Sequence, residues 1–143
     1  MHSKLGGNLK RKLGKTPSFS KLKKELDRVF SLYIRRRAAD FKGYITCVCC
    51  GKKILWQEAQ NMHYNSRSKL NTRWDVRNCH PGGYECNVAR NGNYPAYTKY
   101  LLNNYGHEWL TRLIEDGEKL RKFTPQEMQE MIKKYNELLK SFL

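Results

Sequence analysis

All five cysteines of the 143-residue chain, Cys47, Cys49, Cys50, Cys79 and Cys86, fall within 40 positions of one another. They lie in residues 43–93, a stretch rich in Asn, Gly and Trp that lacks helical periodicity until its end. Segments of this kind bury little apolar surface and need a staple. An odd, clustered cysteine count, with no apolar signal stretch behind the basic N-terminus, predicts a metal site in a reducing cytosol rather than disulfides. The expectation is therefore small β-hairpins held by zinc, in a cytoplasmic protein.

Cys47 and Cys50 form a C-x-x-C followed by Gly51 and Lys52. This is the shape of a zinc knuckle, in which glycine permits the tight turn and backbone N–H groups point at the thiolates. Cys86, directly before Asn87 and an expected helix start, is a third ligand. A structural zinc takes four. Cys79 is the expected fourth, with His80 as the main alternative and Cys49, water or no zinc behind them.

The flanks read as helices. Residues 1–19 form a basic arm carrying Lys10, Arg11 and Lys12, expected to be flexible. Over 20–42, Leu22, Leu26, Val29, Phe30, Tyr33 and Ile34 step at helical spacing, and Arg35-Arg36-Arg37 closes the helix with cations near its negative end. Residues 94–143 predict further helices. Gly106 stops one, and Thr124, Pro125 and Glu127 start another as N-cap, first helical residue and capping-box partner. The chain is thus expected to be α+β, a small zinc-bound treble-clef or ββα-metal finger (43–93) between a basic helix and C-terminal helices.

The charge is uneven. Lys and Arg number 28 against 13 acids, a formal net charge of +15. Residues 1–40 hold 12 basic and 3 acidic side chains, 41–100 hold 9 and 3, and 101–143 hold 7 and 7. A polyanion therefore meets the first hundred residues, and nucleic acid fits best because each neutralised phosphate releases a counterion. Arg35, Arg36 and the arm residues Lys10, Arg11 and Lys12 are candidate phosphate contacts. No apolar run approaches the ~20 residues of a membrane span.

Between the cysteine pairs lie His63, Arg67, Arg73, Asp75, Arg77, Asn78 and His80. A histidine on a hairpin, an asparagine in the next loop and a polar residue opening the following helix make a ββα-metal nuclease arrangement. There a neutral imidazole takes a proton from water, and a divalent cation held at the helix stabilises the leaving oxygen.

These residues resemble a known family. Tyr33-Ile34-Arg35, Gly43 to Cys47, Cys50-Gly51-Lys52, Trp56, His63-Tyr64, Arg67, Thr72 to Asp75, Arg77-Asn78, His80, Cys86-Asn87, Gly92-Asn93 and Tyr105-Gly106 are similar to the lambdoid phage NinG (Rap) recombination endonucleases, a His-Asn (HNH) finger family. The resemblance spans about residues 20–142. It implies a zinc-stabilised finger that cleaves Holliday junctions, D-loops and other branched DNA with Mg²⁺ or Mn²⁺, in the host cytoplasm. It also implies catalytic roles for His63 as base, Asn87 at the cation and Asn78 bracing the loop. Arg67, Arg73 and Arg77 would meet DNA phosphate, and Cys47, Cys50 and Cys86 would bind zinc.

Two positions depart from the family pattern. Gly83 stands where the family has a cysteine three before Cys86, so Cys79 is expected to compensate. Gln60-Asn61-Met62 stands where the family has an acid or Asn, then Ala-Gly, leaving Asn61, Glu58 or Asp75 to meet a catalytic cation that prefers carboxylate oxygen. The alternative reading is a zinc-dependent recombination accessory that binds branched DNA without cutting. A homodimer through the C-terminal helices would match the two-fold symmetry of a junction, and other recombination proteins are further candidate partners.

Overall fold

The computed structural model describes residues 16–142, so Lys10, Arg11 and Lys12 lie outside the described residues. Helix α1 runs Phe19–Ala38, capped by Ser18, whose hydroxyl accepts the Lys21 N–H at 3.2 Å. Its apolar stripe Leu22, Leu26, Val29, Phe30 and Ile34 is buried. Gly43, at φ +86°, makes the turn that releases the chain into β1 (Tyr44–Thr46), which pairs antiparallel with β2 (Lys53–Leu55). The link between them is the cysteine knuckle: the Cys47 N–H donates to the Lys52 carbonyl and the Gly51 N–H returns to the Cys47 carbonyl.

A second hairpin organises the rest. Strand β3 (Gln60–His63) pairs antiparallel with β4 (Cys79–Gly82), with His63 opposite Cys79 and Met62 opposite His80. The connection holds a short helix α2 (Leu70–Arg73) and a 3₁₀ turn at Val76–Asn78. Both faces of this hairpin are covered, so the period-two alternation of a strand sorts its residues between two cores. Cys79 packs with Leu26, Phe30, Trp74, Met128 and Tyr135. Met62, on the opposite face, packs with Cys47, Cys86, Tyr97, Leu101 and Leu113.

The segment after β4 departs from the expected ββα pattern. Glu85–Ala89 is a single π-helical turn, not the start of a long α-helix. The chain cannot continue as helix because Asn91, Gly92 and Asn93 all take positive φ, and the Gly92 N–H folds back onto the Cys86 carbonyl. Asn87 therefore sits inside this turn rather than opening a helix. Three helices follow: α3 (Tyr94–Tyr105), α4 (His107–Glu118) and α5 (Pro125–Lys140). Thr124 and Glu127 form the capping box at α5, and Phe123 packs beside Met128 while meeting Trp74 edge-on at 5.2 Å. The α5 stripe considered as a dimer face lies against α1, with Met128 and Tyr135 buried there. The structure is thus a mixed α+β domain with two small sheets. No helix among the described residues is long and apolar enough to cross a membrane.

One ion pair ties α1 to the loop between the paired strands. Asp27 accepts from Arg73 Nε at 2.9 Å, Arg73 Nη2 at 2.6 Å, Trp74 Nε1 at 2.9 Å and Arg67 Nη2 at 3.3 Å. The Arg73 side chain is only 8% exposed. Removing one partner of a buried pair strands the other charge, which costs about 3 kcal/mol or more. Asp27→Ala should lower unfolding free energy in urea by roughly that amount. A loss under about 0.5 kcal/mol would mean the bridge contributes no more than a surface pair.

Candidate functional site

Two sites emerge, a thiol cluster and a polar cavity. In the cluster, the sulfurs of Cys47, Cys50 and Cys86 lie within 4.8 Å of one another. The knuckle supplies two and the π turn the third. Cys47 is drawn down to about 4 by the Cys49 thiol, against the effect of burial, with help from the backbone N–H groups of Cys50, Gly83 and Cys49. Cys86 is pushed up by burial, although the Asn93 amide donates to its sulfur at 3.5 Å. Soft thiolates converging at this spacing, with N–H groups aimed at one of them, can hold a metal such as zinc.

The expected fourth ligands are elsewhere. Cys79 Sγ lies 3.6 Å from the Arg73 carbonyl in the core under α1, where burial raises its pKa, and it is outside the three-sulfur group. Strand parity is the reason: Cys79 and Cys47 belong to opposite sides of the β3–β4 hairpin. His80 does face the Cys47 side, but its ring is held within an aromatic cage. The Tyr97 hydroxyl donates to the Met62 carbonyl at 3.0 Å, so His80 Nδ1–H donates to Tyr97 Oη at 2.8 Å. Tyr97, Tyr100 and Tyr105 surround the ring.

The cavity, of about 540 Å³, lies between α1, β3 and the π turn. His63, Asn87, Gln60, Asn61, Arg35 and Arg67 line it, with Asp27 at one wall. His63 Nε2 is 2.8 Å from the Arg73 carbonyl. A carbonyl only accepts, so Nε2 carries the proton and Nδ1 keeps its lone pair. Burial, reinforced by Arg67 and Arg73, lowers the His63 pKa to about 4, leaving the ring neutral near pH 7. Asn87 Nδ2 donates to Gln60 Oε1 at 2.6 Å, which leaves Asn87 Oδ1 as an acceptor. Asn61 Oδ1 is buried without a hydrogen-bond partner among the described residues.

Asn78 is placed differently. It is fully buried, accepts the Asn65 N–H at 2.6 Å, and donates to the carbonyls of Asn65 at 3.1 Å and Thr72 at 3.0 Å. It braces the loop beside His63 and cannot touch a substrate. Of the arginines expected at phosphate, Arg67 is 60% exposed beside the cavity. Arg73 is sequestered by Asp27, and Arg77 is clamped between Asp75 at 2.6 Å and Asp116 at 2.9 Å. Arg35 is half-buried and donates to the Trp56 carbonyl, while Arg36 donates to the Phe142 carbonyl and lies over the Trp56 ring. Glu58 is not at this cavity; it lines another beside β2. The sequence reading did not single out Asp27 and gave Gln60 no role at the site. Asp27 could have been noticed as one of only three acids in the first 40 residues.

With this geometry in view, comparison with known proteins assigns the family. A family model described as "Bacteriophage Lambda NinG protein" matches residues 6–142. The chain belongs to the NinG family. It is 28% identical over 117 residues to "Protein ninG" of Escherichia phage 933W and, equally, to that of Enterobacteria phage VT2-Sa. The match covers 82% of this NinG-family chain and 56% of each relative, so the chain spans about half the length of those curated proteins. No solved structure matches.

Two outcomes follow from these placements. Purified protein should carry one zinc per chain by elemental analysis. Cys86→Ser should lose it and Cys79→Ser should keep it; metal loss in Cys79→Ser with the fold intact would refute the three-sulfur assignment. The histidines set a pH dependence. His63 and His80 are both lowered by burial from 6.5 to about 4. The unfolded chain therefore takes up protons that the folded chain refuses. Their contribution to stability is whole above about pH 6.5, falls as pH drops toward about 4, and changes no further below that. His80→Gln should shrink the stability lost between pH 7 and 4.5 by roughly 2 kcal/mol, measured by urea unfolding at each pH.

Proposed function

We propose that this chain is a structure-selective DNA endonuclease that cleaves branched recombination intermediates such as Holliday junctions and D-loops by phosphodiester hydrolysis. The reading rests on one observation: His63 lines an open polar cavity with its Nε2 fixed on the Arg73 carbonyl and its Nδ1 unengaged. A neutral imidazole held in one tautomer at a cavity wall is equipped to be a general base. The charge of the chain, +15, supports a nucleic-acid substrate.

In this reading His63 Nδ1 takes a proton from water, the oxygen attacks phosphorus, and the bond to the 3′-oxygen breaks with the electron pair leaving on that oxygen. Arg67 and Arg35 at the cavity neutralise phosphate charge. Asn78 acts by bracing the loop, and Arg73 by presenting its carbonyl to His63. The donors available to a divalent cation are amide oxygens, Asn87 Oδ1 together with Asn61 Oδ1, which lacks a partner among the described residues. These suit Mg²⁺ or Mn²⁺ held jointly with a substrate phosphate, which supplies the missing negative charge. A cation so held would stabilise the departing oxygen.

A second reading has a specific observation behind it. The carboxylate at the cavity wall, Asp27, accepts four hydrogen bonds from Arg73, Trp74 and Arg67. A site with no uncommitted carboxylate suits a protein that binds branched DNA without cutting.

Cleavage of a labelled four-way junction in Mg²⁺ or Mn²⁺ separates the two. His63→Ala should lower the rate at least about 100-fold, the usual range for a lost general base, while circular dichroism and junction affinity stay unchanged. Undiminished cutting by a folded His63→Ala protein removes His63 from the chemistry. Tight junction binding by wild-type protein that cuts in neither metal favours the accessory role.

A further inference from the structure

The thiol cluster borders a second cavity, of about 520 Å³, lined by Cys50, Cys86, Gly83, Ile54, Tyr44 and Tyr84 among others. Two of the three converging cysteines thus form part of a wall that opens outward, and Cys50 is itself exposed. A tetrahedral ion held by three sulfurs has one position left. Three other donors lie near but outside the three-sulfur group: Cys79 is on the far side of the β3–β4 hairpin, His80 stands among the tyrosines with Nδ1 on Tyr97, and the Cys49 thiol bonds to the Cys47 sulfur and approaches the Gly92 carbonyl at 3.9 Å. On the cavity side stands Gly83, which has no side chain and whose N–H points at the Cys47 sulfur.

We infer that the metal site of this chain is held by three protein thiolates, Cys47, Cys50 and Cys86, with its fourth position open to the cavity beside Gly83. That position takes water or a small soft donor such as an external thiolate. When a thiol enters, its sulfur displaces the water and its proton passes to solvent. Such a site is built like catalytic zinc centres, which keep an exchangeable position, rather than like closed structural ones. The inference rests on the cluster being a metal site and is independent of the nuclease reading.

Cobalt substitution of the whole chain tests it, because thiolate-to-cobalt charge-transfer absorption scales with the number of bound sulfurs. The Co²⁺ protein should show three thiolates' intensity, and 2-mercaptoethanol should raise it by about one third, from three sulfurs to four. Cys49→Ser should leave the starting spectrum unchanged and keep that response. Gly83→Cys should reach the higher intensity without added thiol and no longer respond. A Cβ there meets Ile54 Cδ1 at 2.7 Å, the tip of a flexible side chain that can turn aside. Loss of about a third of the starting intensity in Cys49→Ser would make Cys49 the fourth ligand and overturn the inference. So would a wild-type spectrum indifferent to thiol. Failure to bind cobalt at all would instead overturn the metal assignment itself, whatever the outcome of a cleavage assay.

Discussion

The ion pair between buried Arg73 and half-buried Asp27 is the contact through which the parts of the polar cavity are held in one frame. Arg73 is buried, so its charge is tolerated only when it is paired and its remaining donors are also satisfied. Here they are. Asp27 takes four hydrogen bonds, and the third nitrogen of the Arg73 guanidinium donates to the Arg67 carbonyl at 2.8 Å. Trp74 and Arg67 are drawn to the same carboxylate, so one residue of α1 sets the path of the loop between β3 and β4. The Arg73 carbonyl then fixes His63. Helix position, loop path and imidazole tautomer form a single chain of contacts.

The β3–β4 hairpin divides the chemistry. Because both of its faces are buried, neighbouring residues along each strand enter different environments. His63 points toward α1 and the polar cavity, and His80 toward the tyrosines of α3. Burial is the leading cause of a lowered pKa in both rings. The ring nitrogens differ in use: His80 is locked into an aromatic core through Tyr97, whereas His63 spends one nitrogen on a carbonyl and retains the other. Two histidines with similar titration are thus assigned to packing and to a cavity by strand parity alone.

The thiol cluster and the polar cavity meet at the π turn. Cys86 belongs to the first and Asn87 to the second, so a metal bound by Cys86 would also hold the backbone that carries Asn87. A small domain with two modest cores gains from such a staple. The positive-φ residues Asn91, Gly92 and Asn93 keep the turn short, and Asn93 reinforces it by donating to the Cys86 sulfur.

Local chemistry alone determined a good deal of this protein. The capping box at α5, the apolar stripe of α1, the Gly106 stop and the Cys47–Cys50 knuckle were legible because each depends on residues a few positions apart, whose geometry follows from helix period, turn type and backbone hydrogen bonding. His63 and Asn87 line one cavity, but Asn87 reaches it from a π turn and not from the helix start that the motif implied. What distance along the chain concealed was pairing. Arg73 and Arg77 look like phosphate contacts until the fold brings Asp27 from 46 residues away and Asp116 from 39 away. Cys79 looks like a zinc ligand until strand register turns it to the opposite face from Cys47. Net charge and motif spacing are properties of the chain as written, but whether a given charge or thiol is free depends on which partner the tertiary structure places against it.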